Sequence, residues 1–335
     1  MLHTPILNKR DPGQGHFIFA LFFLILGILG FSPTSTTEPS PAIGNAQAKI
    51  AVDANLVLLP VKVTDTHGAF VSGLKLEDFR VSEDGQLQKL AVFEYGDTPV
   101  TVGLIVDHSR SMGGKLQDVV TAVYSFAHLS NPQDEMFVID FNDDVLSELM
   151  KGKAFSNDPK ELEQAVTAVT ARGRTALYDA VSEGLHHLQY GHLQKKALII
   201  ISDGGDNASH LKYSQVLAQA RQSQALIYAV GLIGSNVEEE NPGLLRRLCK
   251  DTGGIAYFAR EGQSVANVAT EIAHDLREQY TVGYTPLNIQ RAGAFRRVEV
   301  KVIAPGHVRL HVRTREGYSP AAVMQPAAQL GVGTR

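Results

Sequence analysis

Cysteine is almost absent from this chain of 335 residues. Cys249 is its one cysteine, so no internal disulfide can form. It lies in LLRRLCKDTGG (residues 244–254), which the pattern predicts to be a helix that ends at glycines. A lone cysteine there is interpreted as a small buried apolar residue. Runs of lysine and arginine are also missing, and the formal net charge of −4 argues against nucleic acid as a partner.

Two common catalytic motifs are missing as well. The sequence contains no phosphate-binding loop of the Walker form and no GxSxG nucleophile elbow. What the chain does have is an ordinary globular composition, with 44% apolar and 20% charged residues, and a length that suggests roughly two domains. The composition excludes a disordered chain.

The N-terminus has the sequence pattern of an export signal. Lys9 and Arg10 precede an uncharged apolar run, residues 17–31. A helix of that length spans about 23 Å, short of the roughly 30 Å hydrocarbon core, which favours a cleaved signal peptide while leaving a permanent anchor open for residues 1–31. Residues 32–53 form a tether rich in Ser, Thr and Pro. We therefore predict a periplasmic, cell-surface or secreted protein, with the membrane anchor as an open alternative.

The predicted secondary structure changes twice along the rest of the chain. Residues 54–97 and 280–319 alternate as β-strands do, whereas residues 98–279 alternate long apolar strands with amphipathic helices. Strands that are apolar throughout need cover on both faces, which predicts an α/β domain with a doubly wound, mostly parallel sheet. A hairpin at 145–150 is expected to add one antiparallel edge strand.

The two β-rich segments are expected to pack together as one small all-β domain. The entry and exit points of an inserted domain usually lie close to each other, which brings residues 54–97 and 280–319 to the same place. Residues 320–335 are predicted to be a tail.

Polar residues cluster where the apolar strands end. LIVDHSRSMGG (residues 104–114) places Asp107, Ser109 and Ser111 on alternate positions directly after a strand. Thr175 precedes a helix in GRTALYDA, and Asp203 follows a second apolar strand in LIIISDGGDN. Ligands of parallel sheets bind at the carboxyl ends of the strands. An all-oxygen set of this kind suits Mg²⁺, Mn²⁺ or Ca²⁺ better than zinc or copper.

This pattern resembles the von Willebrand factor type A domain over about residues 100–279. That family's metal-ion-dependent adhesion site has the order Asp-x-Ser-x-Ser, Thr, Asp, which Asp107, Ser109, Ser111, Thr175 and Asp203 fill here. The β segments on either side resemble a family of exported bacterial proteins with a related domain. One departure is the pair of filler residues, His108 and Arg110, where many members have small or uncharged side chains.

Each part of the pattern has a simpler interpretation when taken alone. Hydroxyls in a turn often bind the backbone, and a threonine before a helix is often an N-cap. His186, His187 and His192 are interpreted as a solvated helix end, because adjacent helical residues point about 100° apart. Glu238–Glu240 are interpreted as a solvated acidic loop, with an acidic surface near the metal as the alternative.

Two functions follow from the resemblance and the residues. The first is an exported, non-enzymatic adhesion module that captures a carboxylate of a partner through the bound ion. The alternative is a metal-assisted hydrolase, which needs a general base near a metal-bound water. No His or Glu is placed by motif beside Asp107, Thr175 or Asp203, so the sequence favours the binding module.

Overall fold

The structure is a computed structural model that describes residues 56–147, 153–234, 240–259, 264–287, 294–306 and 309–320. The predicted export segment, the tether and nearly all of the predicted tail lie outside these ranges. No helix within them is both long and apolar enough to cross a membrane.

The chain order of the elements is β-rich, then alternating, then β-rich again. The first segment contains β1 (Val57–Thr64), β2 (Phe79–Glu83), β3 (Gln86–Leu87) and β4 (Leu90–Tyr95). The middle segment contains β5 (Val100–Asp107), α1 (Leu116–His128), β6 (Glu135–Phe141), β7 (Val145–Ser147), α2 (Pro159–Thr167), α3 (Leu177–His187), β8 (Lys195–Ser202), α4 (Tyr213–Ser223), β9 (Leu226–Leu232), α5 (Pro242–Thr252), β10 (Ala256–Ala259) and α6 (Val265–Arg277). The last contains β11 (Tyr280–Tyr284), β12 (Arg296–Val302), β13 (His311–Arg313) and β14 (Gly317–Tyr318).

A six-stranded sheet with the order β10-β9-β8-β5-β6-β7 forms the centre of the middle segment. All of its pairings are parallel except that of β6 with β7. Successive residues of a strand face opposite sides, so β5 gives Leu104 and Val106 to the core under α1, α2 and α6, and Ile105 to the core under α3, α4 and α5. Both faces are covered, which is why β5 is buried at every position.

The order of the strands reverses next to β5. The chain leaves β5 for α1 on one face, and it leaves the neighbouring β8 for α4 on the other face. Two loops that diverge in this way open a crevice at the carboxyl edge of the sheet, where ligands of such folds bind. Asp107 ends β5, and Asp203 follows β8 directly.

Strands from both flanking segments form two further four-stranded sheets, which we call the outer β module. Their orders are β13-β1-β11-β4 and β14-β12-β2-β3, and they share one apolar core. The alternating burial of β1 supplies Val57, Leu59, Val61 and Val63 to that core. Tyr95 lies opposite Tyr280 in the β4–β11 ladder, so the chain enters and leaves the middle segment at adjacent points.

The predicted fold class is confirmed: the central sheet is mostly parallel, helices cover both faces, and antiparallel sheets flank it. The predicted antiparallel edge strand is present as β7, which pairs with β6, although residues 148–150 of the predicted stretch lie outside the described ranges. The division into domains at the stated residue numbers remains a prediction.

Two local details differ from the pattern. FRVSEDGQLQKLAVFEY suggests one hairpin around Asp84 and Gly85, but the returning strand β3 has only two residues, and β4 leaves to pair with β11 in the other sheet. The sequence analysis also missed α2, although Asp158 caps it by accepting a 2.9 Å bond from the Lys160 amide, and Pro159 occupies its first turn.

Candidate functional site

Asp107 lies at the bottom of the crevice and is completely buried. Its Oδ1 accepts a 2.9 Å hydrogen bond from the Ser109 amide, and its Oδ2 accepts a 2.6 Å bond from the Ser202 hydroxyl. The same Ser202 Oγ accepts the Gly204 amide at 2.9 Å. The end of β8 therefore holds the carboxylate that ends β5.

Ser109 and Ser111 converge above Asp107. Ser109 has an extended backbone and precedes a 3₁₀ turn over Arg110–Lys115, so that the side chains at 109 and 111 come together with their Oγ atoms 3.2 Å apart. Ser109 is buried and Ser111 is half-buried. Two neutral hydroxyls thus lie side by side next to a buried carboxylate.

The two filler residues of the motif point to different surroundings. His108 is buried, and its Nδ1 lies 2.6 Å from Oδ1 of Asp140 on β6. Arg110 is exposed, and its amide donates to the Gly173 carbonyl at 3.2 Å. His108 therefore contacts the neighbouring strand β6 inside the protein, whereas the guanidinium of Arg110 lies on the outer surface near the crevice.

Thr175 lies in a loop that two neighbouring loops hold in place. Its amide donates to Asn207 Oδ1 at 2.9 Å, and its carbonyl accepts the amides of Asn207 and Ala208 at 2.9 and 3.0 Å. On the other side, Asp143 accepts both the amide and the Nε of Arg174 at 2.9 Å. Thr175 is buried, and the simpler interpretation of it as a helix cap does not apply, because Ala176 is the N-cap residue of α3.

Asp203 is completely buried at the start of the loop that follows β8. Its Oδ1 accepts the Gly205 amide at 3.3 Å, and its Oδ2 lies 3.4 Å from the ammonium group of Lys115. Gly204 allows this turn, since it has φ +86° and a Cβ there would lie 2.5 Å from the Asn241 carbonyl oxygen. The loop is therefore closely packed against the start of α5.

Electrostatics links the two carboxylates. Burial, and to a smaller extent the negative charge of Asp203, raises the pKa of Asp107, while hydrogen bonds from Ser109 and Ser202 act in the opposite direction; the net result is a pKa of about 6. Two buried carboxylates that repel each other are stabilised by a cation placed between them.

The side chains present fit a hard cation. Hydrogen bonds link Asp107 to Ser109 and Ser109 to Ser111, and Asp203 is close enough to affect the pKa of Asp107. Thr175 is tied by its backbone to Asn207 and Ala208 in the loop after β8. Within the described part of the chain, no group of three or more His, Cys, Asp or Glu side chains could hold an ion. None of the five predicted site residues is a histidine or a cysteine, the ligands that softer metals prefer, whereas carboxylate and hydroxyl oxygens suit Mg²⁺, Mn²⁺ or Ca²⁺.

Several supporting residues were missed by the sequence analysis. They are Lys115, Asp143, Ser202 and Asn207, all of which contact the site residues or the loops that carry them. Ser202 precedes Asp203 directly, so a polar residue at the end of an apolar strand was a usable signal. The other three lie at positions that no local pattern assigns to the site. Glu240 belongs to the acidic loop that was interpreted as solvated, but its side chain is only 4% exposed and its Oε1 lies 3.1 Å from Lys115 Nζ, so that interpretation is wrong for Glu240. Glu238 and Glu239 lie outside the described residues.

A von Willebrand factor type A domain model matches residues 101–271, just over half of the chain. The chain belongs to that family. The match spans β5 to α6, and so it includes all five predicted site residues. No curated protein matches the chain.

Solved structures with similar folds have low sequence identity to this chain. A von Willebrand factor type A protein from Catenulispora acidiphila is 13% identical, with a TM-score of 0.49 over 73% of this chain and 74% of that one. The corresponding domain of the type V pilus tip protein Mfa5 from Porphyromonas gingivalis is 12% identical, with a TM-score of 0.43 over 54% and 97%. The protein BatB from Bacteroides thetaiotaomicron is 16% identical, with a TM-score of 0.42 over 52% and 98%.

Proposed function

We propose that this protein is an exported, non-enzymatic binding module that captures an acidic group of a partner protein through a divalent cation. Asp107, Ser109, Ser111, Thr175 and Asp203 would hold the ion. The observation that carries the proposal is the convergence of two buried carboxylates and paired hydroxyls at the crevice of the sheet.

The ligand set explains why such an ion would bind an acidic partner. Three of the five side chains are neutral hydroxyls, so two carboxylates only balance a divalent charge and leave the ion electrophilic. A carboxylate from a partner is a suitable further ligand for a hard cation. Arg110, exposed beside the site, would add a positive charge that attracts the same group.

The residues around the site support binding over hydrolysis. Hydrolysis needs a general base within reach of a metal-bound water. His108, the histidine within the motif, is buried and paired with Asp140 at 2.6 Å. We therefore keep the non-enzymatic function as the proposal.

Export is supported by Lys9 and Arg10 followed by the apolar run at 17–31. These residues lie outside the described ranges, and the proposal takes the export signal from the sequence. A cleaved signal and a retained anchor both place the binding site outside the cytoplasm.

Calorimetric titration with Mg²⁺ and Mn²⁺ tests the metal site. Wild type is expected to bind, and Asp107→Asn is expected to lose most of the affinity because it removes a negative charge from the site. Thr175→Ala should weaken binding less, since it removes a neutral oxygen, and should leave the fold in place, because the hydrogen bonds that hold its loop are made by the Thr175 backbone. Thr167→Ala, on the exposed side of α2, is the matched control.

No binding by wild type at millimolar Mn²⁺ would overturn the proposal and leave only the fold. Metal-dependent turnover in a phosphoesterase and esterase screen, lost in Asp107→Asn, would establish the hydrolase instead. If the metal site is present, a pull-down from envelope extract in Mg²⁺ and in EDTA would identify partners whose binding needs the ion.

A further inference from the structure

The ammonium group of Lys115 lies between two carboxylates that come from other loops. Its Nζ is 3.4 Å from Asp203 Oδ2 and 3.1 Å from Glu240 Oε1. The carboxylates are almost completely buried, with side-chain exposures of 1% and 4%, and the lysine side chain is 18% exposed. Both contacts of the Lys115 ammonium group therefore lie away from bulk solvent. Charge interactions are stronger in such surroundings than in water.

Glu240 is fixed independently of the lysine. Its Oε1 also accepts the Gly234 amide at 2.6 Å. The next residue, Asn241, donates its amide to the Asp203 carbonyl at 3.1 Å, and its side chain accepts the Leu244 amide at the start of α5. Glu240 is therefore anchored beside the loop that carries Asp203, and it can hold Lys115 with or without the second contact.

Lys115 is also tied to the hydroxyl ligands by the chain itself. It is the last residue of the 3₁₀ turn that follows Ser109, and Ser111 lies in the same turn. The turn thus places two neutral hydroxyl oxygens and one positive charge close to each other. Since a divalent cation needs Asp203, the ammonium group and the ion compete for one carboxylate.

We infer that Lys115 is a built-in cation of this site, which neutralises Asp203 before a divalent ion binds and must withdraw from it, toward Glu240, when the ion arrives. This inference rests on the proposed function. It assigns to Lys115 a positioning role that sets how tightly the site holds a metal, and to Glu240 the role of the second anchor. The site would then fill only when the divalent ion, alone or with an acidic partner, outcompetes the lysine.

The test is Mn²⁺ affinity, measured by electron paramagnetic resonance and calorimetry on the full chain. Lys115→Met should bind Mn²⁺ roughly tenfold more tightly than wild type or better, because removal of a unit charge at this distance relieves cation repulsion. Lys115→Arg keeps the charge and should stay near wild type. Lys153→Met, which removes an equal charge from a distant exposed ion pair with Glu161, should change nothing.

A double-mutant cycle then tests the role of Glu240. Glu240→Gln should lower Mn²⁺ affinity more in the wild-type background than in Lys115→Met, because without its second anchor the lysine competes harder for Asp203. Equal losses in both backgrounds would show that Glu240 acts only through its charge and would overturn its anchoring role. Thermal melts of each variant establish that it is folded.

The possible failures are distinguishable. If wild type binds Mn²⁺, Asp107→Asn does not, and Lys115→Met binds no tighter than wild type, then the lysine is structural and the inference is wrong while the proposed function stands. If neither wild type nor Lys115→Met binds Mn²⁺, the proposed function fails and the inference fails with it. Binding by Lys115→Met alone would show that the lysine excludes the ion, which supports the inference about Lys115 but overturns the proposed function of the wild-type protein.

Discussion

The Ser202 hydroxyl donates a 2.6 Å hydrogen bond to Oδ2 of Asp107, across the two adjacent strands whose ends form the crevice. Both residues are completely buried. A serine that contacts no solvent thus orients the central carboxylate of the candidate site. Because Ser202 Oγ also accepts the Gly204 amide, one atom connects Asp107 to the loop that carries Asp203.

We predict that Ser202→Ala lowers both metal affinity and stability. Loss of the hydroxyl leaves Asp107 Oδ2 and the Gly204 amide without a buried partner, which costs about 1–3 kcal/mol. Thermal melts and Mn²⁺ titration measure the two effects. Ser223→Ala, which removes a half-buried hydroxyl at the end of α4, is the control; equal effects of the two variants on Mn²⁺ affinity would contradict the prediction.

Deleting residues 295–335 should unfold the N-terminal half of the outer β module. The deletion removes β12, which pairs with β2, and β13, which pairs with β1. It also removes Arg296, whose Nη1 donates to the buried Glu83 at 2.8 Å. Limited proteolysis should then cut within 54–97. Truncation after residue 320 leaves every strand that the structure describes in place and is the control, and unchanged resistance of 54–97 in the larger deletion would defeat the prediction.

Lys195 should make stability depend on pH. Burial, aided by the positive charge of Arg277, lowers the pKa of Lys195 to about 8. Below pH 8 the folded protein carries a charge that is costly to bury. Between pH 8 and the unfolded pKa of 10.5, the unfolded chain binds the extra proton, so stability rises with pH, by on the order of 1 kcal/mol per pH unit.

Lys195→Met should lack this rise. Chemical denaturation at pH 7, 8, 9 and 10 should show the stability of wild type increasing relative to the variant above pH 8. Lys153→Met, at an exposed ion pair, should follow wild type throughout. A difference between wild type and Lys195→Met that stays constant from pH 7 to 10 would rule out this effect.

Arg315 is expected to lower the free energy of unfolding. Its side chain is almost completely buried near Tyr284 and Tyr318, and none of its three guanidinium nitrogens has a hydrogen-bond partner among the described residues. Burial lowers its pKa to about 10, so the group is charged at neutral pH. Arg315→Met should therefore raise stability by about 1–3 kcal/mol.

Differential scanning calorimetry at pH 7 measures this gain as a higher melting temperature, roughly 2–4 °C for each kcal/mol. Arg297→Met, at an exposed position of β12, is the control and should change little. A lower melting temperature for Arg315→Met would mean that the guanidinium is stabilised by its surroundings in spite of its missing partners.

The local pattern was sufficient to predict the central strands of the middle segment and its parallel sheet. Runs such as KKALIIIS and VTVGLIVD are apolar on both faces, which only a covered parallel sheet accommodates, and both are buried strands in the structure. Their ends also showed where Asp107 and Asp203 would lie, because parallel strands end at one edge. The helix α2 was missed, since its cap and proline were not read as a start signal.

The pairing of distant residues was decided by the tertiary structure. Lys115 meets Asp203 and Glu240 across 88 and 125 residues of chain, and Ser202 meets Asp107 across 95. Similarly, β4 pairs with β11, which is distant in sequence, and not with β3, which directly precedes it. Periodicity reports which face of an element is buried, since that depends on neighbours three or four residues away. It does not report which elements become neighbours, because that depends on strand order and loop closure over the whole chain.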